Sequence, residues 1–239
     1  MSRVFLARHG QASFLQPDYD KLSAIGEAQA RQLGEYWAHR KLSFHRVGVG
    51  PRVRQAETAR LVAEAYKTAG VHFPEPVTMP EFDEYHGDAV LAKSLPKLLE
   101  NDKEVQALHA AFQDSSNTRE LHGNFQKLFA RIIGDWVTGD LIVPGVETWT
   151  EFCRRVNSGI SRFISQSNPG EQSVIFTSGG PIAVAMQRAL DLSVQNTLQV
   201  TWMSRNCSYS EFIFSGDRFT LSSFNAFPHL DDSSMLTYR

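Results

Sequence analysis

Val4-Phe5-Leu6-Ala7 is a short apolar run followed by Arg8-His9-Gly10, and it reads as a buried strand ending in a turn. A polar loop follows to about Asp20. Ser23 can then cap a helix that runs to about Arg40, with Ile25, Ala28, Leu33 and Trp37 among its apolar positions. His45 to Val49 repeats the strand pattern. Arg52 to Ala69 repeats the helical one, with Ala56, Ala59, Leu61, Val62 and Ala65 available for packing and Gly70 as its stop. The segment from Phe73 to Pro80 is Pro-punctuated and extended. From about Val90 to Gly145 the pattern becomes helical throughout, as two or three helices with a polar loop at 114–117. Thr148 to Ser165 is another helix, opened by a capping-box pair of Thr148 and Glu151. Ser173 to Thr177 is a buried strand and Ser178-Gly179-Gly180-Pro181 a tight turn. Helix follows from Ile182 to about Leu190, with Pro181 suited to its first turn. Tyr209 to Phe214 and Phe219 to Phe224 alternate as strands, and Ser215-Gly216-Asp217 between them predicts a hairpin. The tail after Phe227 is polar and is expected to dock or fray.

Strands alternating with helices predict a three-layer α/β/α sandwich with a mostly parallel central sheet. The helix-rich stretch at about 88–145 fits as a cap inserted into a single domain spanning 1–239. In such folds ligands bind beyond the carboxyl ends of the strands. Arg8-His9-Gly10 and Ser178-Gly179-Gly180 both stand at such ends.

Composition narrows the function classes. A net charge of −2 gives no basic footprint for general nucleic-acid binding. The two cysteines, Cys153 and Cys207, build neither a zinc-like spacing nor a disulfide framework. The histidines show no metal-ligand spacing, and no Gly-x-x-x-x-Gly-Lys run is present, so neither a metal nor a P-loop nucleotide site is expected. No apolar run reaches membrane-spanning length, and the first residues lack a cleavage-site pattern. The expectation is a soluble cytoplasmic protein without cofactor or metal, with no nucleic-acid or membrane partner. The late edge strands leave pairing into a dimer open.

Arg8-His9-Gly10 has the elements of phosphate chemistry. A neutral imidazole is a good nucleophile towards phosphorus, a guanidinium grips phosphate oxygens in pairs, and glycine lets backbone approach a ligand. The chain resembles the histidine phosphatase superfamily, the phosphoglycerate mutase-like proteins, from this run onward. Leu22-Ser23-Ala24-Ile25-Gly26-Glu27-Ala28-Gln29-Ala30 is similar to that family's Leu-Thr-x-x-Gly-x-x-Gln-Ala helix start. Arg54-Gln55-Ala56-Glu57-Thr58-Ala59 is similar to its Arg-Ala-x-Gln-Thr-Ala, Pro144-Gly145-Val146-Glu147-Thr148 to its Gly-Gly-Glu-Ser turn, and Asn206-Cys207-Ser208 to its Asn-x-Ser. The resemblance implies that His9 is the nucleophile that becomes phosphorylated and that Arg8 and Arg54 bind phosphate, with Arg52 an alternative to Arg54. The run Pro80-Glu81-Phe82-Asp83-Glu84-Tyr85-His86-Gly87 resembles the family's acid loop. Glu84 is the favoured proton donor to the leaving group, and Asp83 and Glu81 stay open.

Two departures stand out. The family's second histidine lies in a Ser-His-Gly-Gly turn, and here the matching run is Thr177-Ser178-Gly179-Gly180. Ser178 donates one hydrogen bond but brings no charge; losing one transition-state donor typically costs about 3 kcal/mol. The Gly179-Gly180 helix start can offset part of this with backbone N–H groups, so Ser178 and Gly179 are expected to line the phosphate. His86, His122 and His229 are candidates to replace the missing imidazole. In the first loop, Ala12 and Leu15 stand where the family has a hydroxyl residue and an Asn, and Gln11 and Ser13 are the nearest substitutes. The expected function is a phosphatase of reduced activity acting on a phosphorylated small molecule or phosphoprotein. A phospholigand-binding protein with little turnover and a mutase-type phosphotransferase are the alternatives.

Overall fold

A computed structural model of the protein describes residues 1–13, 20–216 and 218–238. Leu15 and most of the polar loop after Gly10, together with Asp217 of the predicted hairpin turn, lie outside the described residues. In chain order the elements are β1 (Ser2–Arg8), α1 (Ala24–His39), β2 (Arg46–Val49), α2 (Val53–Thr68), β3 (Val77–Thr78), α3 (Gly87–Asn101), α4 (Lys103–Gln113), α5 (Thr118–Thr138), α6 (Trp149–Ser165), β4 (Gln172–Thr177), α7 (Gly179–Leu190), α8 (Val194–Met203), β5 (Tyr209–Ser215) and β6 (Arg218–Ala226). The chain divides into two compact units, Met1–Glu84 with Arg155–Arg239, and Tyr85–Arg154.

The first unit is built on a six-stranded sheet of order β3-β2-β4-β1-β5-β6. Its first four strands run parallel, and β5 and β6 add an antiparallel edge. The register sorts the two faces. Phe5 pairs with Val174 and Ala7 with Phe176, while Val47 and Val49 meet the same two partners from β2. These residues join Leu33 and Trp37 of α1 and Ala59, Val62 and Tyr66 of α2 in one buried cluster. The intervening residues face the other way. A methyl group on Gly48 would sit 3.4 Å from Phe163 of α6 and 3.3 Å from Ile175. Helices thus cover both faces, as parallel strands require.

The second unit is helical. Asp102 caps α4 through its bonds from Glu104 N and Val105 N, and Asn117 caps α5 by accepting from Glu120 N. Arg131 of α5 binds Asp102, Glu104 and Asp135. Tyr85, Trp136, Trp149 and Phe152 form an aromatic cluster with centroid spacings of 5.4–6.5 Å, and Trp136 Nε1 donates to Glu147 O. Trp136 and Trp149 are therefore core residues of this unit.

The expected alternation and hairpin are present, with corrections in detail. α7 starts at Gly179 instead of Ile182, so both glycines belong to its first turn. Within the extended, Pro-punctuated segment Phe73–Pro80 only Val77–Thr78 pairs as a strand, bounded by Pro76 and Pro80. α8 carries no pattern that singled it out beforehand; Ser193 caps it by accepting from Asn196 N. Ile25 and Ala56, expected to pack, are exposed, because the buried stripes of α1 and α2 carry Gly26, Gln29, Arg54, Gln55 and Thr58. The tail docks: Asn206 N donates to Thr237 O, and Gln29 Nε2 donates to Met235 O. No described helix is long and apolar enough to cross a membrane.

Candidate active site

The site lies in the first unit, beyond the carboxyl ends of β1 and β4. Arg8 pairs with Thr177 across these strands, and His9 N donates to Thr177 O at 2.9 Å, so His9 and Ser178 are the next residues on neighbouring strand ends. The turn is pinned from every side. Gly10 N donates to Thr58 Oγ1, and Gln11 N to Gln29 Oε1. His9 O accepts from Cys207 N and from Asn206 Nδ2. The Asn206-Cys207-Ser208 motif thus holds the backbone of the first motif, and Ser208 O also receives Arg8 N. Cys207 itself adopts a positive φ of 54° to make this approach.

His9 is 6 % exposed and its ring is oriented at both nitrogens. Nδ1 lies 2.7 Å from Gly10 O, which can only accept, so Nδ1 carries the proton. Nε2 therefore presents a lone pair, and Arg54 Nε donates to it at 3.1 Å. Burial holds the imidazole well below its ordinary pKa; the charges of Arg54 and Arg8 act in the same direction, and the bond to Gly10 O opposes them. His9 is thus held as a neutral imidazole whose unprotonated nitrogen meets Arg54.

Arg54 rather than Arg52 reaches His9. Arg54 is buried, and its Nη1 also meets Asp20 Oδ1 at 2.6 Å, while Asp20 Oδ2 accepts the first N–H of α2 from Val53. Arg52 is engaged with Asp83. Arg8 donates through Nη1 to Ser204 O, and a methyl on Gly179 would lie 3.9 Å from Arg8 Nε, which places the α7 start beside this guanidinium.

The three candidate acids are sorted by their partners. Glu81 is paired with Arg162 at 2.6 Å and Asp83 with Arg52. Glu84 instead turns to the start of α7, where its Oε2 accepts from Gly180 N at 3.2 Å. Phe82 O, two residues earlier, accepts from Thr177 Oγ1 and Gln55 Nε2, which fixes the acid loop on the end of β4. Ser178 is fully buried, and its Oγ accepts from Gln55 Nε2 at 2.8 Å. Sequence reasoning did not single out Gln55. Its signal was a polar residue on the packed stripe of α2, three positions before Thr58.

Gln11 Oε1 accepts from Ser23 Oγ, and Ser13 Oγ donates to Leu22 O, so both brace the first loop on the α1 start. His229 packs against Tyr36 and Tyr209, while His86 stands before α3 and His122 lies on α5, both in the helical unit. Among the described residues no cluster of three or more His, Cys, Asp or Glu side chains is arranged to hold a metal ion.

Comparison with known proteins gives a consistent result. The sequence profile of the Histidine phosphatase superfamily (branch 1) matches residues 4–135 and, in a second, overlapping segment, 114–226. No curated protein matches significantly in sequence. Among solved structures, a mycobacterial glucosyl-3-phosphoglycerate phosphatase is 18% identical, with a TM-score of 0.61 over 94% of this chain and 98% of its own. The alpha-ribazole phosphatase of Shigella flexneri is 18% identical with a TM-score of 0.61 over 94% and 96%. A phosphoglycerate mutase of Bacillus anthracis is 15% identical with a TM-score of 0.60 over 96% and 95%. At these identities the likeness establishes the fold.

Proposed function

The chain belongs to the histidine phosphatase superfamily, and from that premise we propose that it is a phosphatase that hydrolyses a phosphomonoester through a phosphohistidine on His9. The observation that carries this reading is the ring of His9: buried, proton fixed at Nδ1, lone pair at Nε2 meeting Arg54, and the charge of Arg8 acting on it as well. A binding protein needs the arginines but has no use for an oriented neutral nucleophile.

Arg8, Arg54 and the N–H groups at the Gly179 end of α7 orient the phosphoryl group. A phosphate oxygen competes for Arg54 Nε and releases the Nε2 lone pair. Nε2 then attacks phosphorus in line. The bond from phosphorus to the ester oxygen breaks, and the Glu84 carboxyl gives that oxygen its proton. The charge developing on the imidazole is met at Nδ1–H by the Gly10 carbonyl. Water next attacks the phosphohistidine, passing a proton to the Glu84 carboxylate. The N–P bond breaks, and phosphate leaves with His9 neutral again. No metal or cofactor enters the scheme, because the protein's own cations neutralise the phosphate. Substrates are phosphorylated small molecules or phosphoproteins.

The test is hydrolysis of a broad panel of phosphomonoesters without added metal, by wild type and His9→Ala. The expected outcome is turnover of at least one ester that falls by about a thousandfold or more in His9→Ala. Undiminished hydrolysis in His9→Ala would refute the reading.

A further inference from the structure

Two positions at which this chain departs from the family's motifs touch each other. In Arg54-Gln55-Ala56-Glu57-Thr58-Ala59 the departure from Arg-Ala-x-Gln-Thr-Ala begins at Gln55, where the pattern has Ala. In Thr177-Ser178-Gly179-Gly180 it is Ser178, where the pattern has His. Gln55 is longer than the pattern's residue and Ser178 is shorter. Gln55 Nε2 donates to Ser178 Oγ at 2.8 Å, and both residues are fully buried.

The amide of Gln55 cannot turn over. Its Oε1 accepts from Arg52 N at 3.0 Å, a group that can only donate, and its Nε2 also faces Phe82 O, which can only accept. Gly50 adds to the constraint. A methyl group there would stand 2.2 Å from Gln55 Oε1 and 2.6 Å from Phe82 O. Gly50, Gln55 and Ser178 thus fit as a set. Because Ser178 Oγ accepts from Gln55, the hydroxyl proton is turned away from the amide. Ser178 continues β4 beside His9 and immediately precedes Gly179, which lies next to Arg8.

We propose that Gln55 is a positioning residue which holds the Ser178 hydroxyl as a hydrogen-bond donor to the transferring phosphoryl group, the two side chains together replacing an imidazole. This rests on the phosphatase reading for its consequence in turnover. The replacement is neutral, so the site gives up one titrating cation at this position and keeps one oriented donor. It also means that a histidine cannot simply be restored at position 178, because Gln55 fills the space it would need.

The experiment compares wild type, Gln55→Ala, Ser178→His and the double variant Gln55→Ala/Ser178→His, each checked by thermal unfolding. Inorganic phosphate binding is measured by calorimetry, and p-nitrophenyl phosphate turnover is measured against pH. Gln55→Ala is expected to lower kcat about tenfold with KM within about twofold, less than the full loss of a transition-state donor because the Ser178 hydroxyl stays and only its orientation is freed. Ser178→His is expected to bind phosphate at least about tenfold more weakly than wild type. The double variant should regain that loss and show a new limb in its pH–rate profile from the added imidazole. Equal phosphate affinity in Ser178→His and the double variant would overturn the proposal, as would wild-type kcat in Gln55→Ala. Should Ser178→His fail to fold, Gln55→Ala decides the matter alone. Recovery of phosphate binding in the double variant with no turnover in any of the four proteins would support the pair and refute the phosphatase reading instead.

Discussion

Gly10 and Gly26 lie so close that a methyl group on Gly10 would come within 2.3 Å of Gly26 O, and one on Gly26 within 2.1 Å of Gln11 O. The His9 turn therefore rests directly on the first turn of α1. Gly10→Ala or Gly26→Ala is expected to destabilise the fold by about 1–3 kcal/mol, the usual cost of forcing atoms into packed space, and to lower turnover together with it. Urea unfolding of both variants checks this. At this scale Arg8, His9 and Arg54 were marked out by runs of fixed spacing, whereas the acid-loop run left Glu84, Asp83 and Glu81 open. The roles of Gln29 and Gln55 were not legible, although both fall inside such runs, since polar residues on a helix read as solvent-facing until a partner is known. Both are fully buried, the Gln29 amide engaged with Gln11 N, Met235 O and Thr237 Oγ1 and the Gln55 amide with Arg52 N, Phe82 O and Ser178 Oγ. Asp20 escaped notice for a related reason: its pairing with Arg54 joins residues far apart in sequence.

Elements were legible where periodicity was strong. β1, β4, α1, α2 and the β5–β6 hairpin followed from apolar spacing and turn residues. α8 did not, since Thr197 and Thr201 share its buried side with Leu198; the docked tail did not, since its contacts are hydrogen bonds between distant segments. Thr237 is the clearest case: its Oγ1 donates to Asn206 Oδ1 and accepts from Gln29 Nε2. Asn206 and Gln29 in turn hold His9 O and Gln11 N, so the tail braces the His9 turn from behind. Removing residues 235–239 is expected to leave Gln29 Nε2 and Asn206 N without these partners, at about 1–3 kcal/mol each, and to reduce kcat more than KM is changed. Thermal unfolding and steady-state kinetics of the shortened chain measure both effects; wild-type values in both would show that the tail does not brace the turn.

For the whole molecule, buried neutral histidines contribute to the response to acid. His9 is held well below its ordinary pKa of 6.5, and burial brings His229 down to about 4. In each case the unfolded chain takes up a proton near pH 6.5 and the folded protein does not. Stability is therefore complete above about pH 6.5 and falls as the pH drops towards the folded pKa. His229 alone accounts for about 3 kcal/mol between pH 6.5 and 4, at 1.36 kcal/mol per pKa unit. His229→Phe should flatten the pH dependence of unfolding over that range, and an unchanged slope would exclude His229 as a source. At this scale the sequence disclosed the α/β alternation and the helix-rich stretch at about 88–145. The compact helical unit extends further, to Tyr85–Arg154, because its aromatic cluster recruits Tyr85, Trp149 and Phe152 from either side of that stretch.

The most direct test of the central claim is to mix the protein with a hydrolysed phosphomonoester, quench with alkali within milliseconds, and map phosphate by peptide mass spectrometry. A phosphohistidine at His9 that is stable to base, lost in acid and absent from His9→Ala is the predicted result. Turnover with no phosphate on His9, or with phosphate on another residue, would contradict the account.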